Sequence, residues 1–130
     1  MSDHAKAGAV LYVMDVKRVS AFYEAVAGLP VTHREADHIV LESSAFQLVV
    51  LSIPDRIAAT ITIASPPVRR EDTAIKPVFF IAGIAAARIA AAQLGGELNS
   101  PEREWTFQGH RVCDGHDPEG NVLQFREKAH

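Results

Sequence analysis

Apolar positions along the chain switch period twice, in the same order each time. Ala9-Val10-Leu11-Tyr12-Val13 is a continuous apolar run of β-branched and aromatic residues, which predicts a strand buried on both faces. From Val16 the period becomes helical, with Val19, Phe22, Tyr23 and Val26 at i, i+3, i+4 and i+7. Asp15 is suited to cap that helix and Gly28 to stop it. Short strands are predicted near Pro30 to His33, around His38 to Glu42 and over Phe46 to Leu51, separated by Arg34-Glu35-Ala36-Asp37 and by Ser43-Ser44. Residues 54–75 lose the pattern: Ile57 to Ile63 suits either a helix turn or an edge strand, and Pro66-Pro67 forces an extended path into an exposed loop. Order returns with Val78-Phe79-Phe80-Ile81 as a strand and Ala-rich Ile84 to Leu94 as a helix ended by Gly95-Gly96. Strands near Glu97 to Asn99, Gly109 to Asp114 and Val122 to Phe125 complete the chain.

The two halves superimpose when one is slid by 68 residues, which sets Leu11 on Phe79, Val13 on Ile81, Val16 on Ile84, Ala27 on Gly95 and Gly28 on Gly96. Strand, helix and glycine stop coincide without a gap, so the chain reads as an internal repeat. The expectation is an α+β fold of two β-α-β-β-β modules forming a curved mixed sheet around a cleft, with helices outside. The 130 residues suit one domain, with module one over about 7–53, a connector over about 54–75 and module two over about 76–128.

Composition narrows the function. A formal net charge of -3 and scattered Lys and Arg residues give no basic stripe, which argues against nucleic acid. No apolar run reaches the roughly 18 residues of a membrane span, and the start of the chain lacks a signal-peptide core, so the expected location is cytoplasmic. The one cysteine, Cys113, excludes an intrachain disulfide and is read as a small core residue.

The most informative stretch is Asp117-Pro118-Glu119-Gly120-Asn121-Val122-Leu123-Gln124-Phe125, a tight turn running straight into a strand that carries one polar residue, Gln124. With Tyr12-Val13-Met14-Asp15 leading into Ala21-Phe22-Tyr23-Glu24-Ala25-Val26-Ala27-Gly28-Leu29, and with Gly95-Gly96, this stretch resembles the vicinal oxygen chelate superfamily. That group includes glyoxalase I, extradiol dioxygenases, fosfomycin-resistance proteins and bleomycin-binding proteins. The resemblance spans nearly the whole chain. It implies the two-module fold, a cleft for a small molecule and a homodimer.

Enzymes of that superfamily hold a divalent ion on about four side chains, mostly His and Glu, from the first and last strands of each module. The resemblance carries these positions onto Gly8, Lys76, Gln124 and either Val49 or Val50. Glycine and valine have no donor, an ammonium repels a cation and an amide oxygen brings no charge. The expectation is therefore a chain without metal or other cofactor, which binds a small organic molecule in the cleft. By strand alternation the face that would have carried ligands holds Gly8, Val10, Tyr12, Lys76, Val78, Phe80 and Gln124.

Trp105, Phe107 and Arg111 precede and enter the penultimate strand. The aromatic pair either stacks on a planar ligand or plugs a repeat or dimer interface, and Arg111 either pairs with a carboxylate or phosphate or is solvated. The expected ligand-binding residues are Tyr12, Lys76, Phe80, Trp105, Arg111 and Gln124. The competing reading is a metal-dependent lyase, isomerase or dioxygenase with displaced ligands drawn from His4, Glu42, His110 and His116, with Asp114 sharing a strand face with the last two.

Overall fold

The computed structural model describes residues 5–129. Module one runs β1 (Ala7–Val13), α1 (Val16–Val26), β2 (Val31–Arg34), β3 (His38–Glu42) and β4 (Phe46–Ser52). The connector holds one short helix, α2 (Asp55–Ala58), and no strand. Module two runs β5 (Val78–Phe80), α3 (Ile84–Gln93), β6 (Glu97–Leu98), β7 (Trp105–Phe107), β8 (His110–His116) and β9 (Val122–Lys128).

The two modules share one topology. In the first sheet the order is β1-β4-β3-β2, with β1 parallel to β4, and in the second it is β5-β9-β8-β6, with β5 parallel to β9 and β7 also paired to β8. The mixed sheet is therefore in two pieces, of four and five strands, one per module. Register repeats too: Val10 faces Val49 in the first sheet as Val78 faces Gln124 in the second.

Each helix covers one face of its own sheet, and α1 also packs against α3. Asp15 caps α1 as expected, its Oδ1 accepting from the Arg18 N–H at 3.1 Å. Val19, Phe22, Tyr23 and Val26 are buried at the spacing that predicted the helix. The sheet residues beneath are Val13, Leu41, Leu48 and Val50 in module one and Phe79, Cys113, Leu123 and Phe125 in module two. Phe79 joins the halves, with its ring 5.8 Å from Tyr23 and 5.7 Å from Phe46.

One expectation is overturned here. The first strand is buried on one face only, since Val10 and Tyr12 are 55% and 56% exposed while Val13 is fully enclosed. The strand's apolar run lacks alternation because its outer face carries apolar side chains of its own, not because both faces are covered.

Candidate functional site

Register decides which predicted residues share a face. Residues directly opposite one another on adjacent strands point to the same side of a sheet. In the second sheet Val78 pairs with Gln124 and Gln124 with Asp114. The next row outward is Phe80, Arg126, Val112 and Trp105. Beyond it lie Lys128, His110 and Phe107. Gln124, Phe80 and Trp105 thus lie on the outer face of the second sheet, away from α3, and the Lys76 side chain reaches the same face at Asp114.

A continuous chain of contacts runs down this face. Lys76 Nζ donates to Asp114 Oδ2 at 2.9 Å, Gln124 Nε2 donates to Asp114 Oδ1 at 2.9 Å, and Arg126 Nε donates to Gln124 Oε1 at 2.8 Å. The guanidinium of Arg126 then lies 5.7 Å from the centre of the Phe80 ring and 5.1 Å from that of Phe107, within cation–π range of both. Phe80 meets the His110 ring edge-on at 5.1 Å. Arg126 was not among the expected residues, and Asp114 was considered only beside His110 and His116 as a displaced metal ligand. The signal that finds them is the i, i+2 alternation from Gln124 and the strand pairing across from it.

The aromatic rows are open to solvent. Phe80 is 63% exposed and Trp105 and Phe107 are about as open as Val78. Trp105-Thr106-Phe107 is a strand, not a loop: Gln108 and Gly109, both at positive φ, turn it back onto β8 as a hairpin.

Arg111 does not join this group. It pairs across from Thr106 and Glu127, in the alternate rows, and its guanidinium donates to Glu104 Oε1 at 3.3 Å, where Arg88 also binds. Tyr12 lies on the outer face of the first sheet, in the row with Leu51 and His38. That row is the repeat equivalent of Phe80, Arg126 and Val112, so Tyr12 and Phe80 occupy matching places on two different sheets.

The implied metal positions can be tested against these contacts. A β-carbon at Gly8 would sit 2.9 Å from the carbonyl oxygen of Gln47, so β1 has no room for a side chain there unless its backbone shifts. Lys76 brings an ammonium, already paired to the carboxylate of Asp114. The repeat register assigns the fourth position to Val49, which has no donor, and leaves Val50 in the core. The Gln124 oxygen is held by Arg126. Such a set does not fit a divalent ion.

The displaced ligands do not converge either. His116 is buried and its Nδ1 lies 2.9 Å from the Asp117 carbonyl oxygen, His110 packs on Phe80, and Glu42 takes Lys6 and Thr32. His4 lies outside the described residues. Among the described residues no group of three or more His, Cys, Asp or Glu side chains gathers as a metal would need. Cys113 is enclosed as expected, and burial pushes its thiol pKa up, away from the thiolate a nucleophile requires.

The DPEGN turn anchors this sheet to module one. Asp117 is fully buried, and its carboxylate accepts from the N–H groups of Glu119 and Asn121, from Asn121 Nδ2 and from Tyr23 Oη. Burial raises its pKa while those four donors pull the other way. Gly120, at φ +84°, lets the connector pass directly over the turn: a β-carbon there would meet the Val68 carbonyl oxygen at 2.1 Å.

The same architecture recurs in solved structures. A glyoxalase/bleomycin resistance protein from Albidiferax ferrireducens matches with a TM-score of 0.64 at 17% identity, over 95% of this chain and 98% of that one. The fold is that of the vicinal oxygen chelate proteins. The bleomycin resistance determinant of transposon Tn5 shares the vicinal oxygen chelate fold with this chain at a TM-score of 0.59 and 16% identity, covering 98% of each. A fosfomycin resistance protein from Mesorhizobium loti does so at 0.64 and 9% identity, over 99% of this chain and 95% of that one. At such identities the likeness carries the fold alone. No family model matches the sequence, and no curated protein matches it.

Proposed function

We propose that this chain is a metal-independent binding protein for a small, flat organic molecule, which it takes on the outer face of the second sheet. The observation that carries the reading is the row Phe80, Arg126, Val112 and Trp105, in which exposed aromatic surface lies beside polar groups already fixed by one another. Rings of that kind stack on a planar ligand without rearranging, since Arg126 lies within cation–π range of both Phe80 and Phe107 and is itself oriented by Gln124. Lys76, half-exposed at the far end of the contact chain, offers a cation to a polar group of the ligand.

The homodimer implied by the resemblance belongs to the same reading. Val10 and Tyr12 are as exposed on the first sheet as Phe80 is on the second, and apolar surface in those places is what a second copy would cover. Tyr12 then reaches the ligand from the facing copy. Sedimentation analysis across a concentration series tests that part: a monomer at all concentrations contradicts it.

Thermal-shift screening of aromatic small molecules, followed by calorimetry, tests the binding itself. The expected result is a saturable ligand whose affinity falls at least about tenfold in Phe80→Ala, the loss of one stacking partner. Unaltered affinity in that variant, or turnover of a glyoxalase or dioxygenase substrate on addition of a divalent ion, overturns the reading.

A further inference from the structure

A cavity of about 370 Å³ lies between the two modules, where the connector passes them. Ala9, Val10, Leu11, Phe46 and Leu48 wall it from the first sheet, Phe79 and Val122 from the second. The connector closes it with Arg70, Thr73, Ile75 and Pro77. Its size falls in the range of small-molecule pockets, roughly 300–1,000 Å³.

Its polar groups are few and unequal. Tyr23 and Asn121 reach the wall, but the Tyr23 hydroxyl proton goes to Asp117 Oδ2 at 2.8 Å and Asn121 Nδ2 goes to the same oxygen at 2.9 Å. Arg70 is the one charged residue lining the cavity, and among the described residues no carboxylate lies within ion-pair distance of it. Its neighbour Arg69 differs, bonded to Asn99 at 2.7 Å and within 3.8 Å of both Glu71 and Glu97. The backbone of Arg70 is fixed, its N–H donating to the Gly120 carbonyl at 2.8 Å, which places its side chain beside the cavity.

We propose that this cavity is a separate binding site for an apolar molecule bearing one carboxylate, its body enclosed between the modules and its anion on Arg70. A planar guanidinium presents parallel N–H donors that match a carboxylate. The inference stands on the cavity and on Arg70 and does not depend on the reading of the outer face.

The test uses 2-naphthoate and its neutral amide as probes on the full chain, measured by calorimetry. Naphthoate is expected to bind the native chain more tightly than the amide. Arg70→Ala should weaken naphthoate at least about tenfold and the amide by less than about threefold, because a charge-assisted pair is worth roughly 1.5–3 kcal/mol and each 1.4 kcal/mol is tenfold. Arg70 is exposed, so the variant keeps its fold. Thr73→Phe, which fills the cavity from the connector, should likewise weaken naphthoate at least about tenfold. The proposal is overturned if naphthoate does not bind at millimolar concentration, or if either Arg70→Ala or Thr73→Phe leaves its affinity unchanged.

Discussion

The side-chain oxygen of Gln124 accepts a hydrogen bond from Arg126 Nε at 2.8 Å. At the position where the superfamily resemblance implies a metal-binding carboxylate, this chain thus places a neutral amide whose oxygen is already occupied by a cation. Gln124→Glu tests how far that substitution alone explains the chemistry. The new carboxylate would sit against Asp114, 2.9 Å from the present Nε2, and between Lys76 and Arg126. It should gain no stoichiometric zinc, manganese or nickel by equilibrium dialysis and elemental analysis, because Gly8 and Val49 still offer no donor. Tight uptake by this single variant would show that the other ligands lie elsewhere.

Tyr23 and Asp117 tie α1 of module one to the turn of module two through a bond wholly inside the protein. Tyr23→Phe should lower stability by about 1–3 kcal/mol, since it leaves a buried carboxylate with one donor fewer. The pH dependence has a definite sign. Burial, then the charge and hydrogen bond of Asp117, raise the Tyr23 pKa well above that of a free tyrosine. The folded chain therefore retains a proton that the unfolded chain releases near pH 10, and stability should fall as the pH rises beyond that point. Denaturant titrations from pH 8 to 11 check this: Tyr23→Phe should flatten the alkaline limb, and an identical slope in both proteins contradicts the assignment.

Glu119 makes the other tie. Its carboxylate accepts from the Met14 N–H at 2.8 and 3.0 Å and from the Asp15 N–H at 2.8 Å, across more than a hundred residues of sequence. Glu119→Ala strips two backbone donors of their acceptor at once and should cost about 2–3 kcal/mol. Hydrogen exchange gives the local signature: the Met14 and Asp15 amides, just after β1, should lose protection ahead of the amides of β1. Unchanged protection there would mean that the turn does not hold β1.

Much of this fold can be read before any coordinates, because α1 repeats its apolar residues at helical spacing and the two halves share strand, helix and glycine stop. Val19, Phe22, Tyr23 and Val26 have only one way to be buried together. β7 was hidden for the opposite reason. Three residues are too short to show a period, and its Gln108-Gly109 turn lacks the Asn-Gly or Asp-Gly pair that usually marks a tight hairpin. The outer face was half legible. Alternation from Gln124 leads directly to Arg126, yet the partner of Gln124 across the sheet, Asp114, depends on register that only the fold supplies. Arg111 looked like a cleft residue by proximity to Trp105 in sequence, whereas its pairing with Thr106 sets it in the alternate row. A cleft between the modules was expected from the repeat, but not the part of it walled by Arg70, Thr73 and Ile75, since no local pattern encodes the path of the connector.

The central claim is that ligand binding on the second sheet needs aromatic surface and no metal. Its most direct measurement is Trp105 emission, the chain having a single tryptophan, recorded during titration with a ligand from the thermal-shift screen after exhaustive chelation and again with zinc or manganese added. A saturable change with the same dissociation constant in both conditions is the predicted result. A change that appears only when the metal is present would contradict the account.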